Sequence, residues 1–190
     1  MSSVPSTEMK PLNVALLTVS DTRGPEEDTS GQFLEDSIVD AGHLLVARRI
    51  LPDDVYLIRA LMANWIADGE IHVVIITGGT GFLERDSTPE AVMPLMDKAI
   101  DGFGEEFRRL SAAEIGSSTI QSRAFGGMAN NTVVFCLPGS TGACRTGWNG
   151  ILLSQLDSRH TPCNFSGLVL RKPEKPMNRL DEVIGQRSKR

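Results

Sequence analysis

The chain has 190 residues, 41% of them hydrophobic and 23% charged, and a formal net charge of −5 at pH 7. This length and composition favour a single soluble domain with a buried core, and the negative charge argues against nucleic-acid binding as the main task. No apolar run reaches the roughly 20 residues that cross a membrane, which excludes a membrane-spanning protein. Residues 1–10 lack the apolar core of a signal peptide, so we expect a cytoplasmic protein.

The two ends of the chain differ in composition from its centre. Residues 1–11 are polar and predict a flexible lead-in, whereas residues 12–160 hold the apolar, periodic segments of one domain. Residues 161–190 are predicted to form a basic tail, because 171–190 carry seven Lys or Arg residues against three acidic ones. The three cysteines form no CxxC pair and the three histidines are scattered, so we expect reduced thiols and no structural zinc site.

Strand and helix patterns alternate along the central segment. In chain order, we predict a strand at 13–20, a helix at about 29–42, a strand at 44–51, a helix at 55–69, a strand at 72–77, helices at 88–100 and 104–115, a short helix at 118–125, a strand at 132–137 and a helix at 143–156. Thr29 or Ser30 is expected to cap the first helix, and Thr88 the third. Residues 116–131 leave room for a small antiparallel element. The alternation predicts an α/β sandwich with a mostly parallel central sheet.

Polar segments, two of them rich in glycine, follow three of the predicted buried strands. These segments are Ser20-Asp21, Thr77-Gly-Gly-Thr-Gly81 and Pro138-Gly-Ser-Thr-Gly142. In an open parallel sheet, ligands bind in the crevice beyond the carboxyl ends of the strands. We therefore expect these three segments to line a binding site.

The glycines of the second segment, Gly78, Gly79 and Gly81, favour a phosphate-bearing ligand. Glycine permits positive φ and lets main-chain N–H groups approach an anion, and the Thr77 and Thr80 hydroxyls offer further hydrogen bonds. The alternative is a tight turn without a ligand. The segment lacks the Gly-Lys-Ser/Thr ending of a P-loop and the chain has no GxGxxG at a strand-to-helix turn, which disfavours both common nucleotide-binding motifs.

Two acidic positions near these segments are candidate magnesium ligands. Asp86 follows the glycine segment, and Asp53 and Asp54 follow a predicted strand. Mg²⁺ takes one or two carboxylates together with substrate phosphates. The alternatives are a helix cap or an Arg85–Asp86 ion pair, and we accept the cap for one of Asp53 and Asp54. Ser140 can likewise cap the last helix or contact a phosphate.

Several of these motifs, taken together, resemble the MoaB/MogA family of molybdenum cofactor biosynthesis proteins. The resemblance covers about residues 12–157. It is carried by Thr18-Val-Ser-Asp21, Pro52-Asp-Asp54, Thr77-Gly-Gly-Thr-Gly81, Arg85-Asp86, Thr88-Pro-Glu-Ala91, Gly102-Phe-Gly-Glu105 and Leu137-Pro-Gly139.

This resemblance implies a three-layer α/β/α sandwich that binds molybdopterin and adenylylates it with Mg²⁺ and ATP, releasing pyrophosphate. It implies that Asp53 and Asp86 are the catalytic, metal-binding acids. It also implies homo-trimers or homo-hexamers and a partnership with other proteins of the pathway. The substrate-binding positions that it implies are Ser20, Thr77, Gly78, Gly79, Thr80, Gly81, Pro138, Gly139 and Ser140.

The turn after the last predicted strand departs from one branch of the family. It reads Pro138-Gly139-Ser140-Thr141-Gly142, where the MogA-like branch usually has an Asn-Pro or Gln-Pro type of turn. The alternative function is therefore a carrier or scaffold that binds molybdopterin without transferring an adenylyl group. An oligomeric nucleotide-binding protein with another substrate is a third reading.

Overall fold

A computed structural model describes residues 8–171 and contains a six-stranded sheet of order β2-β1-β3-β6-β5-β4. β1, β2, β3 and β6 are parallel, whereas β5 runs antiparallel to both β6 and β4. The strands are β1 Asn13–Val19, β2 Leu44–Leu51, β3 Val73–Thr77, β4 Lys98–Ala99, β5 Phe125–Ala129 and β6 Thr132–Leu137. The central strands β1, β3 and β6 are buried along almost their whole length, as their continuous apolar runs predict.

Helices cover both faces of this sheet. The helices are α1 Thr29–Asp40, α2 Val55–Ala67, α3 Thr88–Val92, α4 Asp101–Ile115, α5 Thr141–Gly147, α6 Leu153–Gln155 and α7 Ser166–Val169. Two 3₁₀ segments, Met93–Leu95 and Gly116–Gln121, and a π-helical segment, Trp148–Leu152, adjoin them. No helix within residues 8–171 has the length and hydropathy needed to cross a membrane.

Alternate residues of the strands supply two separate cores. Leu16, Ile75 and Phe135 pack with residues of α1, α4, α5 and α7 on one face. Leu17 and Ile76 pack with residues of α2 and α3 on the other. The molecule is thus a three-layer α/β/α sandwich with a mostly parallel sheet, which confirms the predicted fold class.

The segment after residue 88 differs from the prediction. The helix expected to reach residue 100 ends at Val92, two residues before Pro94, because proline has no N–H to continue the α-helical hydrogen bonds, and residues 93–95 form a 3₁₀ turn instead. The chain then forms β4 at the sheet edge. The short helix expected at 118–125 is a 3₁₀ segment that ends at Gln121, and β5 begins at Phe125.

An antiparallel hairpin occupies the region that lacked clear periodicity. β5 and β6 are joined by Asn130 and Asn131, whose φ angles are 46° and 67°. Two consecutive residues with positive φ are typical of a type I′ turn, which matches the twist of paired strands. The expected small antiparallel element is therefore present, and it extends the parallel sheet at one edge.

Part of the predicted tail packs against the domain. Val169 of α7 is buried, and the Phe165 ring contacts the Phe135 ring edge-on at 5.5 Å between centroids. The packed structure thus continues past residue 160. The remainder of the predicted tail, 172–190, lies outside the described residues, as do residues 1–7 of the predicted lead-in.

Candidate functional site

The carboxyl ends of β1, β3 and β6 lie side by side because the strands pair in register. Thr18 is paired with Thr77, and Thr77 with Leu137. The segments that follow these residues line one side of a cavity of about 580 Å³. Its lining includes every predicted site residue except Thr77: Ser20, Asp53, Gly78, Gly79, Thr80, Gly81, Asp86, Pro138, Gly139 and Ser140.

The glycine segment is held tightly against its two neighbouring strand ends. The Gly78 N–H donates to the Leu137 carbonyl at 3.1 Å. Gly78 has a φ of 103°, and a Cβ atom there would lie 2.1 Å from the Val19 carbonyl oxygen. A Cβ atom at residue 139 would lie 3.2 Å from the Gly78 Cα. Only glycine satisfies both the positive φ and this close approach at residue 78.

Asp53 reaches the glycine segment from the loop before α2. Its Oδ1 accepts hydrogen bonds from the Ser87 N–H at 3.0 Å and the Ser87 hydroxyl at 2.6 Å. Its Oδ2 would lie 2.5 Å from a Cβ atom at residue 79, so this oxygen rests directly over Gly79. The neighbouring Asp54 has the other role that we expected for this pair, because its Oδ1 accepts from the first N–H groups of α2 and caps the helix.

Asp86 approaches the same segment from its far end. Its Oδ2 accepts from the Leu83 N–H at 2.8 Å and would lie 2.5 Å from a Cβ atom at residue 81. Two carboxylates therefore contact the glycine segment from different loops. Within residues 8–171, no group of three or more His, Cys, Asp or Glu side chains is arranged to hold a metal ion. The carboxylates suit a hard cation that takes its other ligands from water or a ligand's phosphates.

Thr77 and Thr88 stabilise the site from beneath. The fully buried Thr77 hydroxyl donates to the Pro138 carbonyl at 3.0 Å, which joins the end of β3 to the turn after β6. The structure thus places Thr77 outside the cavity, because its side chain points into the sandwich. Thr88 is not a helix cap, since its hydroxyl donates to the Gly78 carbonyl at 2.9 Å.

The turn after β6 is fixed by the segments around it. The Ser140 hydroxyl accepts from the Ala143 N–H at 3.2 Å and caps α5. The Gly139 carbonyl accepts from Arg23 at 2.9 Å and from the Ser30 hydroxyl at 2.8 Å. Ser30 is therefore not the cap of α1. The Asp28 carboxylate has that role and accepts from the Gly31 N–H at 2.8 Å.

A buried thiol lies behind the cavity wall. Cys144 of α5 is fully buried, and its Sγ lies 3.2 Å from the Thr77 hydroxyl. Desolvation raises the pKa of this thiol to about 11. Cys144 is therefore a neutral thiol near pH 7 and is unsuited to act as a nucleophile.

The sequence did not reveal a second part of the cavity lining. Residues of α4 and of the 3₁₀ segment after it form this second part, with a mixed surface that comprises Phe107, Ser111, Glu114, Ile115, Ser118 and Gln121. Asp21, Arg23 and Arg85 also line the cavity. The charges of the loops after β1 and β3 signalled these last three, but the folding of a helix across the cavity had no signal in the sequence.

Carboxylates outnumber cations in the cavity lining. Four carboxylates, those of Asp21, Asp53, Asp86 and Glu114, face two guanidinium groups, those of Arg23 and Arg85. An anion entering such a cavity needs main-chain N–H donors or a bound cation to offset this excess. The glycine segment can supply the donors, and the two carboxylates over it can hold the cation.

Comparisons with known proteins identify relatives over most of the chain. Residues 15–158 match the family described as "Probable molybdopterin binding domain". Molybdenum cofactor biosynthesis protein B of Escherichia coli K12 is 54% identical over 165 residues, which cover 87% of this chain and 96% of that protein. The protein of the same name from Bacillus cereus is 43% identical over 148 residues, covering 77% and 88%.

Solved structures with the same fold carry related names. A crystal structure of molybdenum cofactor biosynthesis protein B has a TM-score of 0.75 and 42% identity, covering 81% of this chain and 94% of its own. The tungsten cofactor synthesizing protein MoaB from Pyrococcus furiosus has a TM-score of 0.69 and 37% identity, covering 75% and 91%.

Proposed function

The chain belongs to the MoaB/MogA family and acts in molybdenum cofactor biosynthesis, and from this premise we propose that its cavity binds molybdopterin and adenylylates it with Mg²⁺ and ATP. The observation that carries the proposal is the placement of two carboxylates over the same glycine segment, Asp53 over Gly79 and Asp86 over Gly81. Such an arrangement suits the transfer of a group between two polyanions.

The proposed reaction joins two phosphates. An oxygen of the terminal molybdopterin phosphate attacks the α-phosphorus of ATP and forms a new P–O bond. The bond from that phosphorus to the bridging oxygen breaks, and pyrophosphate leaves with the electron pair. In this scheme the chain's task is to align the two groups and to stabilise the charge that develops.

Residues of the cavity provide this alignment. The main-chain N–H groups of Gly79–Gly81 and the Arg23 and Arg85 guanidinium groups are the donors proposed for phosphate oxygens. Asp53 and Asp86 are the residues that would hold Mg²⁺, which supplies charge neutralisation for the phosphates of ATP when it is bound. The reaction needs no covalent intermediate on the protein, which agrees with the neutral state of the Cys144 thiol.

The first test replaces each carboxylate with its amide. Asp86→Asn keeps an oxygen that accepts from the Leu83 N–H, and Asp53→Asn keeps one that accepts from Ser87, so both variants should fold. We expect each to lower pyrophosphate release from ATP in the presence of molybdopterin and Mg²⁺ by about a hundredfold or more. Asp54→Asn is the matched control, because Asn caps a helix as well as Asp does.

The outcomes separate the proposed enzyme from a carrier. Wild-type turnover by Asp86→Asn would refute the metal-binding role of Asp86. Tight molybdopterin binding by the wild-type chain, measured by isothermal titration, without any pyrophosphate release would favour the carrier. The trimeric or hexameric assembly and the contacts with other proteins of the pathway stay predictions, and sedimentation of the full chain tests the first of them.

A further inference from the structure

Arg123 connects two parts of the cavity lining, the segment after α4 and the loop after β3. It follows Gln121 and Ser122, which line the cavity, and it comes just before β5. Its side chain reaches back to the glycine segment and the loop after it, and is 23% exposed. Arg123 itself does not line the cavity, so it can affect a ligand only through the residues that it holds.

The guanidinium group of Arg123 contacts both ends of the loop that carries Asp86. Its Nε donates to the Thr80 carbonyl at 3.3 Å, and its Nη2 donates to the Asp86 carbonyl at 2.8 Å. Nη1 pairs with the Glu90 carboxylate at the start of α3. The group also lies 5.3 Å from the centroid of the exposed Phe82 ring.

We propose that Arg123 is a positioning residue that fixes the loop 80–86 and thereby the direction of the Asp86 carboxylate. Inside this loop, Asp86 and Leu83 bond to each other through the Asp86 N–H and the Leu83 carbonyl at 2.9 Å, and through the Leu83 N–H and Asp86 Oδ2. These contacts shape the turn but do not attach it to the domain. Asp53 anchors Ser87 just after the loop. Arg123 supplies the attachment within residues 80–86, because it joins the Thr80 and Asp86 carbonyls to Glu90 of α3.

The chemistry of arginine explains why this residue type stands here. Its planar guanidinium presents five donors in a rigid fork, so one group can serve two carbonyls and a carboxylate at the same time. A lysine ammonium is a point charge on a flexible stem and cannot hold the three acceptors in one plane. Arg123→Lys should therefore retain the ion pair with Glu90 and lose at least one of the hydrogen bonds to the loop carbonyls.

The first test measures the loop without any ligand. Hydrogen–deuterium exchange of the peptide that covers 80–86 should be about tenfold faster in Arg123→Met than in the wild type, because two charge-assisted hydrogen bonds are lost. Arg123→Lys and Glu90→Gln should show smaller increases in the same peptide. Arg109→Met is the matched control, since Arg109 pairs with Glu106 on the exposed side of α4 and should leave this peptide unchanged.

The second test measures the site and rests on the proposed function. Mn²⁺ titrated in the presence of ATP, followed by its electron paramagnetic resonance signal, should bind about tenfold more weakly to Arg123→Met than to the wild type. Arg123→Lys should recover part of that affinity, whereas Arg109→Met should bind like the wild type. A folding defect alone would not give this graded order.

The two tests fail in different ways. Unchanged exchange of the 80–86 peptide in Arg123→Lys and Glu90→Gln would overturn the positioning role, whatever the activity of the protein, and these milder variants decide the matter if Arg123→Met does not fold. Faster exchange with unchanged Mn²⁺ binding would also overturn it. Faster exchange and weaker Mn²⁺ binding in a chain that releases no pyrophosphate would support the role of Arg123 while refuting the proposed adenylyl transfer.

Discussion

At the carboxyl ends of the parallel strands the chain turns through glycines and carboxylates, whereas at the amino ends of β2 and β3 two histidines bond to the start of β1. His43 Nδ1 accepts from the Leu12 N–H at 3.3 Å, and His72 Nδ1 accepts from the Asn13 N–H at 2.9 Å. Polar groups at the carboxyl ends face a cavity, whereas these imidazoles accept hydrogen bonds from main-chain N–H groups. The difference teaches that strand direction decides which end of the sheet can bind a ligand and which end contributes only stability.

The largest expected effect on stability lies beneath the carboxyl ends. Asp28 is buried, and its carboxylate accepts from the Thr18 hydroxyl at 2.7 Å, the Gly31 N–H at 2.8 Å and Arg48 at 3.1 Å. Asp28→Ala removes the α1 cap and leaves buried donors without this acceptor, so the free energy of unfolding should fall by about 3 kcal/mol in urea denaturation. The exposed Asp36→Ala should change it by about 0.5 kcal/mol or less.

The stability of Asp28→Ala tests the comparison between the carboxyl and amino ends of the strands. A large loss of stability at Asp28 means that the carboxyl ends combine binding loops with a buried polar network that supports them. If Asp28→Ala unfolds at the same urea concentration as Asp36→Ala, the network contributes little and the cavity loops are held by their glycine contacts instead.

The second effect combines a loss of turnover with a loss of stability at the glycine segment. Gly79 has a φ of 63°, and a Cβ atom there would lie 2.3 Å from the Thr88 hydroxyl oxygen and 2.5 Å from Asp53 Oδ2. Gly79→Ala should therefore displace Asp53, abolish most of the proposed pyrophosphate release and lower the free energy of unfolding by about 1–3 kcal/mol.

Gly102→Ala in α4 is the control for this change. No heavy atom lies within 4 Å of a Cβ at residue 102, so alanine there should raise the free energy of unfolding by about 0.5–1 kcal/mol and leave turnover unchanged. Wild-type turnover by Gly79→Ala would contradict the assigned contact between Asp53 and the glycine segment.

The smallest effect belongs to the amino ends and depends on pH. Burial lowers the pKa of His43, against a smaller opposing effect of Asp157, and burial also lowers the pKa of His72, against Glu70. Both pKa values are lower in the folded chain than in the unfolded chain. The contribution of the two neutral histidines to the free energy of unfolding is therefore complete above about pH 6.5 and is lost as the pH falls below it. The slope cannot exceed about 1.4 kcal/mol per pH unit for each histidine.

Urea denaturation between pH 7.5 and 5 measures this slope. His43→Asn keeps a side-chain oxygen that can accept a hydrogen bond and does not titrate, so it should reduce the slope of the free energy of unfolding against pH. The double variant with His72→Asn should reduce this slope further. Equal slopes in the wild type and the double variant would assign the pH dependence to other groups.

The sequence allowed the ligand-binding edge of the sheet to be predicted, because that edge follows from local patterns. Continuous apolar runs marked β1, β3 and β6, and the polar segments after them meet once the strands are parallel. The adjacency of Asp53 and Asp86 to the glycine segment follows from the same rule, since each acid lies in a loop that follows a strand.

Features that depend on contacts distant in sequence could not be predicted. Glu114 faces the cavity because α4 packs across the sheet, and nothing in its neighbourhood in the sequence marks that side of the helix. Arg123 meets Thr80 across 43 residues. The prediction of Thr29 or Ser30 as the α1 cap was wrong for a related reason. Asp28 is the cap, while the Ser30 hydroxyl bonds to Gly139, 109 residues away, and the Thr29 hydroxyl to Thr141, 112 residues away.

The hairpin of β5 and β6 has a consequence for the order in which the sheet assembles. Its strands are separated by two residues in the left-handed region, so their pairing closes a very short loop. Each parallel pair requires the closure of a long crossover connection, which costs more chain entropy. We expect this ribbon to form on the microsecond scale and to present β6 as a template on which β3 and then β1 are added. The sheet would then grow from its late-synthesised edge toward the amino-terminal half of the chain.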